Sequence, residues 1–144
     1  MRKTVLEEKT PVVLKDKHIF VVEDDAMNLA VIRTILKRAG ASVPFDHWGD
    51  TTLNRMLSYP FKIDAILVDI MLPNQVDGYD IFDAIRDVPE LKHTPIIAVT
   101  ASDPDLEMNK ARTKGFNGYI SKPLDRVKFA YQIASVINGE EIWE

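Results

Sequence analysis

The sequence of 144 residues contains no cysteine and no long hydrophobic segment. Without cysteine there is no disulfide framework, no thiolate metal site and no cysteine nucleophile, which favours a reducing compartment. No apolar run approaches the roughly 18 residues that a membrane helix needs, and the charged start lacks the apolar core of a signal peptide. These absences predict a cytoplasmic protein that does not enter a membrane.

An excess of positive charge is also lacking. The net charge is -4, with 18 lysine and arginine residues against 22 aspartate and glutamate residues. Binding to nucleic acid through its phosphates needs a basic surface, so direct nucleic-acid binding is not expected. The length fits one domain, and a domain of this size buries roughly 70% of the surface that its unfolded chain exposes.

Short apolar runs alternate with helical segments along the chain. Unbroken apolar runs predict strands that are buried on both faces, as in a parallel sheet. The predicted strands are 18–22, 42–47, 65–68, 95–100 and 118–121, and the predicted helices are 26–39, 51–57, 79–87, 105–114 and 124–137. This order predicts an α/β fold, a doubly wound five-stranded parallel sheet with helices on both faces in a flavodoxin-like (βα)5 arrangement.

Residues at the helix ends support these boundaries. Asp25 and Asp50 are predicted to cap the first and second helices, and Gly40 and Gly139 follow the first and last. The faces predicted to be buried comprise Val31, Ile32, Ile35, Leu36 and Ala39 in the first helix and Val127, Ala130, Tyr131, Ala134 and Ile137 in the last.

Polar residues follow the predicted strands at their carboxyl ends. In a parallel sheet these ends meet at one edge, where open α/β sheets bind ligands. The residues gathered there would be Glu23, Asp24, Asp69, Thr100 and Lys122. Taken singly, Asp69 and Thr100 could merely cap turns, and Lys122 could be an ordinary surface charge. Their convergence favours a functional site.

Three carboxylates at one edge favour a bound cation, because like charges at short range raise each other's pKa. Oxygen ligands without thiolate or paired histidine suit Mg²⁺ better than zinc, and none of the three histidines has ligand spacing. Carboxylates, a metal, a lysine and a hydroxyl are the groups that phosphoryl transfer requires. In that chemistry Asp69 would attack, Lys122 would supply fixed positive charge, and the Thr100 hydroxyl would donate to a phosphoryl oxygen.

Five segments, in this order, resemble the receiver domain of two-component response regulators, in its stand-alone, chemotaxis-regulator-like form. They are Val-Val-Glu-Asp-Asp at 21–25, Val-Asp-Ile-Met-Leu-Pro at 68–73, Asp-Gly at 77–78, Val-Thr-Ala at 99–101 and Tyr-Ile-Ser-Lys-Pro at 119–123. The resemblance divides the chain into an N-terminal extension at 1–17, a receiver domain at 18–138 and a C-terminal tail at 139–144. One departure is an additional residue between Asp69 and the Asp-Gly pair.

The resemblance implies that Asp69 accepts a phosphoryl group from a phosphohistidine on a sensor histidine kinase or a histidine phosphotransfer protein. Glu23 and Asp24 would form the acidic pair at Mg²⁺, with Asp24 as a direct ligand and Glu23 acting through water. The backbone carbonyl of Met71 would be a further ligand. The family also implies a salt bridge from Lys122 to the active site, followed by a cis peptide bond.

Thr100 and Tyr119 would be the switch pair of such a receiver. Phosphorylation would change the face around helix 4, strand 5 and helix 5, which a downstream effector or a second copy in a homodimer would read. Met71 and Ser102, two positions beyond Asp69 and Thr100, would flank the path of attacking water, and an apolar Met71 predicts slow self-dephosphorylation. The protein would catalyse only its own phosphorylation and dephosphorylation.

Other interpretations stay open. A Mg²⁺-dependent phosphohydrolase of the haloacid-dehalogenase type also uses an aspartate nucleophile, but it needs an acid where Met71 stands. A degenerate receiver would act only as a binding module. The receiver could equally be excised from a larger regulator or hybrid kinase. Trp48 and Trp143 are expected to be packing residues, with docking of Trp143 on a partner as the alternative.

Overall fold

A computed structural model of the chain describes residues 12–72 and 76–144. The elements are β1 (Ile19–Val22), α1 (Ala26–Arg38), β2 (Phe45–Asp46), α2 (Thr52–Ser58), β3 (Ala65–Val68), α3 (Gly78–Arg86), β4 (Ile96–Thr100), α4 (Pro104–Lys114), β5 (Gly118–Ser121), α5 (Phe129–Ile137) and β6 (Ile142–Trp143). A 3-10 helix, Pro89–Leu91, precedes β4. Most of the predicted N-terminal extension, residues 1–11, and residues 73–75 lie outside the described residues.

Within these residues six parallel strands form one sheet in the order β2-β1-β3-β4-β5-β6. The prediction of a parallel α/β sheet with helices on both faces is confirmed, but the predicted count of five strands is wrong. The sixth strand comes from the segment that the sequence assigned to a C-terminal tail. It lies at the outer edge of β5 and is only two residues long, too short for a periodic pattern.

Strand residues alternate between two apolar layers, one on each face of the sheet. Ile66 and Val68 belong to the layer that packs against α3, whereas Ala65 and Leu67 belong to the layer that packs against α1 and α5. All four side chains are buried, as expected for a central strand covered on both sides. The strands therefore hold the residues at their carboxyl ends on a rigid base.

The first helix begins as predicted, because the Asp25 carboxylate accepts a hydrogen bond from the Asn28 N–H. The Asp50 cap is wrong. In the described structure α2 begins after Thr51 and has no side-chain cap, and the Thr52 hydroxyl instead accepts from the Gly49 N–H.

The last helix begins at Phe129, five residues later than predicted. The Asp125 carboxylate accepts from the amides of Val127 and Lys128, which stabilises a turn in place of the first helical turn. The predicted buried faces are wrong in part: Val127 is 76% exposed and Tyr131 is 48% exposed, and Val31 on α1 is also exposed.

Residues 12–17, which were assigned to the N-terminal extension, pack against the domain. Leu14 is fully buried, and its N–H donates to the carbonyl of Ala39 at the end of α1. Across residues 12–72 and 76–144, no helix combines the length and apolarity required to cross a bilayer.

Candidate functional site

The ammonium group of Lys122 joins the carboxyl ends of three strands. Its Nζ atom lies 2.6 Å from Glu23 Oε1 and 3.1 Å from Asp69 Oδ2. Glu23 follows β1, Asp69 follows β3 and Lys122 follows β5. The three side chains are almost buried, with 4% of Glu23, 11% of Asp69 and 10% of Lys122 exposed. The structure therefore brings together three residues that the sequence placed at this edge.

Backbone amides fix the two carboxylates in place. Glu23 Oε2 accepts from the N–H groups of Asp24 and Asp25, which turn the chain into α1. Asp69 Oδ1 accepts from the Met71 N–H at 3.0 Å. Asp69 Oδ2 accepts from the Lys122 ammonium, so each oxygen of Asp69 has one hydrogen-bond partner within the described residues and keeps a lone pair for another group.

Charge keeps Lys122 protonated at neutral pH. Burial alone would lower the pKa of Lys122, but its hydrogen bond to Glu23 and the negative charge of Asp69 outweigh this effect, so that the pKa is raised. Glu23 and Asp69 share this one ammonium group, and the exposed Asp24 directly follows Glu23 in the chain. The edge retains an excess of negative charge.

Side chains alone would not complete a metal site here. Among residues 12–72 and 76–144, no three carboxylate or histidine side chains are close enough together to hold a metal ion. Any cation at this edge would need a backbone oxygen and water as further ligands. Met71, whose carbonyl is the predicted further ligand, is 65% exposed beside Asp69.

Thr100 ends β4 and is fully buried. Its Oγ1 accepts from the Ser102 N–H at 3.2 Å, which leaves the hydroxyl proton free to be donated elsewhere. The register pairs Val68 with Ala98, so Asp69 and Thr100 leave neighbouring strands at the same edge of the sheet.

Tyr119 is fully buried on β5 and bonds to Ser102. Its hydroxyl lies 2.9 Å from Ser102 Oγ and donates to the Ser102 carbonyl at 3.2 Å. Burial raises the pKa of the Tyr119 phenol, and the bond with Ser102 offsets part of this rise. Ser102 therefore anchors Tyr119, a role that the sequence did not suggest. It is itself buried, whereas the sequence placed it beside a path for water.

Tyr79 is a second residue that sequence reasoning missed. Its hydroxyl donates to the Glu107 carboxylate, and the Lys110 ammonium lies 4.6 Å from the centre of its ring. These contacts join the first turn of α3 to α4. Both helices were predicted, but nothing in the sequence indicated this pair, because its residues are far apart in the chain.

The sequence of this chain is similar to those of known proteins. A family model for the response regulator receiver domain matches residues 19–134. The polar-differentiation response regulator DivK of Brucella anthropi is 32% identical over 121 residues, which cover 84% of this chain and 96% of that protein. DivK of Brucella ovis matches with the same identity and coverage.

Solved structures of response regulators and receiver domains are also similar to this chain. A putative response regulator from Chloroflexus aurantiacus J-10-fl has a TM-score of 0.77 at 25% identity, covering 86% of this chain and 99% of that chain. The receiver domain of a sensor histidine kinase from Pseudomonas aeruginosa PAO1 has a TM-score of 0.69 at 29% identity with the same coverage. That structure is described with a magnesium ion coordinated in its active site cleft.

The matches give no support to the phosphohydrolase alternative, since the family model and the named relatives are signalling proteins. The Lys122-Pro123 peptide bond is cis, as the resemblance implied. The chain therefore belongs to the receiver domain family of response regulators, which act in two-component signalling.

Proposed function

We propose that this receiver is switched by phosphorylation and that Asp69 accepts the phosphoryl group from a phosphohistidine on a partner. One observation carries the proposal: Asp69 follows the central strand β3 and shares the ammonium of Lys122 with Glu23. A carboxylate nucleophile beside a fixed positive charge suits the transfer of an anionic group.

In the proposed transfer a carboxylate oxygen of Asp69 attacks phosphorus. The P–O bond to Asp69 forms while the P–N bond to histidine breaks, and the leaving nitrogen keeps the electron pair and takes a proton from solvent. The product is an acyl phosphate. Attack by water later restores the carboxylate and releases inorganic phosphate, so the protein catalyses only its own phosphorylation and dephosphorylation.

The oxygen groups around Asp69 fit a magnesium ion. Asp24 and Asp69 would bind it directly, Glu23 would act through water, and the Met71 carbonyl would supply another oxygen. The excess of negative charge at this edge and the lack of cysteine in the chain favour such a hard cation. When bound, Mg²⁺ would offset negative charge on the phosphoryl oxygens. The magnesium described in the receiver from Pseudomonas aeruginosa supports this part of the proposal.

Thr100 and Tyr119 would convert phosphorylation into a change of shape. The free proton of the Thr100 hydroxyl would donate to a phosphoryl oxygen, and a charge-assisted bond of this kind contributes roughly 1.5–3 kcal/mol. That energy changes an equilibrium about ten- to hundredfold, and the upper part of this range makes a state populated at a few per cent the dominant one. Ser102 lies between the two residues, because it bonds to both.

The change would be read on the face formed by α4, β5 and α5. Receivers work with histidine kinases and effectors, so the proposed partners are a sensor histidine kinase or histidine phosphotransfer protein and a downstream effector protein. A homodimer through the same face is a further proposal. We assign the receiver domain to residues 18–138 and its location to the cytoplasm, whether it acts alone or within a larger regulator.

Met71 would slow the loss of the phosphoryl group. It is exposed beside Asp69, and its apolar side chain can neither orient nor activate a water molecule. Ser102 would contribute less to this path than the sequence suggested, since its hydroxyl is buried against Tyr119.

The test is labelling of the purified chain by acetyl phosphate with Mg²⁺ in the solution. The parent protein should take up one phosphoryl group per chain, and Asp69→Asn should lose at least about 99% of it, because an amide oxygen is a poor nucleophile at phosphorus. Mass spectrometry of the intact protein measures the stoichiometry. Omission of Mg²⁺ should slow the reaction strongly.

Asp80→Asn is the matched control, since Asp80 lies exposed on α3 and its loss should leave labelling unchanged. Undiminished labelling of Asp69→Asn would show that another residue accepts phosphate. No labelling of the parent by acetyl phosphate or a phosphohistidine donor would reduce the chain to a binding module.

A further inference from the structure

The outer edge of β5 is covered by residues from this same chain. The Ser121 N–H donates to the Glu144 carbonyl, and the Glu144 N–H donates to the Tyr119 carbonyl, both at 3.0 Å. The Ser121 hydroxyl also donates to the Glu144 carbonyl. An uncovered edge strand would offer these backbone groups to another strand. Here β6 satisfies them within the molecule.

Two glycines fit this contact. A side chain at Gly118 would place its Cβ atom 3.1 Å from the Ile142 carbonyl oxygen, so β6 would have to move slightly away from β5 to accept it. Gly139 has a φ of +100°, the left-handed conformation that ends α5 and turns the chain back along β5.

Side chains attach β6 to both neighbouring helices. The Arg112 guanidinium of α4 lies 4.5 Å from the ring centre of Trp143. The Gln132 side chain of α5 donates to the Glu144 carboxylate at 2.6 Å. The strand therefore contacts α4, β5 and α5, the three elements of the face on which the switch would be read.

The register brings β6 directly to the switch residue. Trp143 pairs with Tyr119 in neighbouring parallel strands, so both side chains lie on the same face of the sheet. They also pack against the same apolar layer. Tyr119 is buried and bonds to Ser102, while Trp143 fills the next place towards the edge. A rotation of the Tyr119 ring towards that edge would meet Trp143.

We infer that residues 139–144 are a built-in occupant of the α4-β5-α5 face that holds Tyr119 in its buried position. While β6 is docked, the edge of β5 is closed to a strand from any other protein, including a second copy of this chain. Because coupling between two events is reciprocal, conditions that favour a buried Tyr119 also favour a docked β6. The consequence for signalling rests on the proposed function, but the hold on Tyr119 does not.

The test uses the full chain without a phosphodonor, so that it does not depend on acceptance of phosphate by Asp69. NMR measures the amide hydrogen exchange of Glu144, and a soluble paramagnetic agent measures how far the Tyr119 ring is exposed to solvent. In the parent, the Glu144 amide should exchange slowly and the Tyr119 ring should be shielded. Trp143→Ala should speed exchange at Glu144 about tenfold and increase the paramagnetic effect on Tyr119, because the stacking with Arg112 is lost.

Leu106→Ala is the control, because Leu106 is 72% exposed on α4 and should change neither signal. Gly118→Ala is a second variant that disturbs β6 through the Ile142 carbonyl, on the opposite face from Tyr119. It should free both the Glu144 amide and the Tyr119 ring in the same way. Comparison of the two variants separates the effect of undocking β6 from the effect of losing the Trp143 ring.

Two outcomes overturn the inference. In one, the Glu144 amide of the parent exchanges as fast as an unpaired amide, so β6 is not docked. In the other, both variants free the Glu144 amide while the Tyr119 ring stays as shielded as in the parent. Failure of acetyl phosphate to label Asp69 would contradict the proposed function and leave these measurements unaffected.

Discussion

The carboxyl and amino ends of the central strands carry different chemistry. At the carboxyl ends, Glu23 and Asp69 compete for the single ammonium of Lys122. At the amino ends, the His18 N–H donates to Asp64 Oδ2 at 2.8 Å, so that carboxylate has a backbone partner. Among the described residues the like charges of Glu23 and Asp69 meet at the carboxyl end, where they cost stability and form the site proposed for phosphoryl transfer.

The amino end is organised by rings. The His18 ring stacks on Phe61, with centres 4.6 Å apart and planes at 11°, and it bonds to the Tyr59 hydroxyl. Tyr59 also meets both rings edge-on. Such contacts stabilise a fold without leaving unbalanced charge. Substitutions should therefore separate function from stability according to the end of the sheet at which they are made.

The largest effect is expected from Lys122→Met. This substitution leaves two nearly buried carboxylates without their cation and should lower the free energy of unfolding by about 3 kcal/mol. Mg²⁺ should restore part of the loss, because an ion that binds only the folded state stabilises it. Urea unfolding with and without Mg²⁺ measures both effects.

Lys114→Met is the control for that experiment. Lys114 bonds to Asp83 at the surface, where an ion pair contributes less than about 1 kcal/mol. A similar loss in both variants would contradict the special role of the carboxyl end.

Tyr59→Phe tests the amino end. It keeps the ring contacts and removes the hydrogen bond with His18, which should cost about 1 kcal/mol of folding free energy. Labelling of Asp69 by acetyl phosphate should keep its parent rate. A marked change in that rate would show that the two ends are coupled. It would contradict the expectation that substitutions at the amino end affect stability alone.

Met71→Asn should change the rate at which the phosphoryl group is lost and have little effect on the free energy of unfolding. An amide beside Asp69 can orient water, so loss of the phosphoryl group should become about three- to tenfold faster. The decay of labelled protein after removal of acetyl phosphate gives the rate. An unchanged decay would show that Met71 does not control the approach of water.

The smallest effect concerns alkaline pH. Since the pKa of Lys122 is raised on folding, its stabilising contribution is complete below its unfolded value and is lost as pH rises through the folded value. The difference in unfolding free energy between the parent and Lys122→Met should therefore stay constant from pH 7 to about 10 and shrink above that. Urea titrations at several pH values provide the measurement, and a difference that grows with pH would have the wrong sign.

The parallel sheet and the residues at its carboxyl edge were predictable because both depend on local patterns. An unbroken apolar run followed by an acid marks a buried strand and its end, as for Asp69, and parallel pairing brings such ends together. Asp25 was likewise predictable as a cap from its place before a helical segment.

Features that depend on distant residues could not be predicted in this way. The bond of Ser102 with Tyr119 and that of Tyr79 with Glu107 each join separate elements.

The late start of α5 reflects competition between helix and turn at Asp125, which periodicity does not measure. The sixth strand had a faint signal, since Ile-Trp follows Gly139, but two residues carry no period.

The absent side chain at Gly118 also gives a way to sort related chains from their sequences. A chain that has a bulky residue at this position should hold a sixth strand less closely and leave the outer edge of its sheet more open to other strands. A chain that combines glycine at this position with an aromatic residue shortly after its last helix should form a sixth strand that covers the edge of β5. Receivers of one architecture would then differ in how readily the outer edge of β5 pairs with a strand from another protein. The residue at the position of Gly118 would indicate this difference.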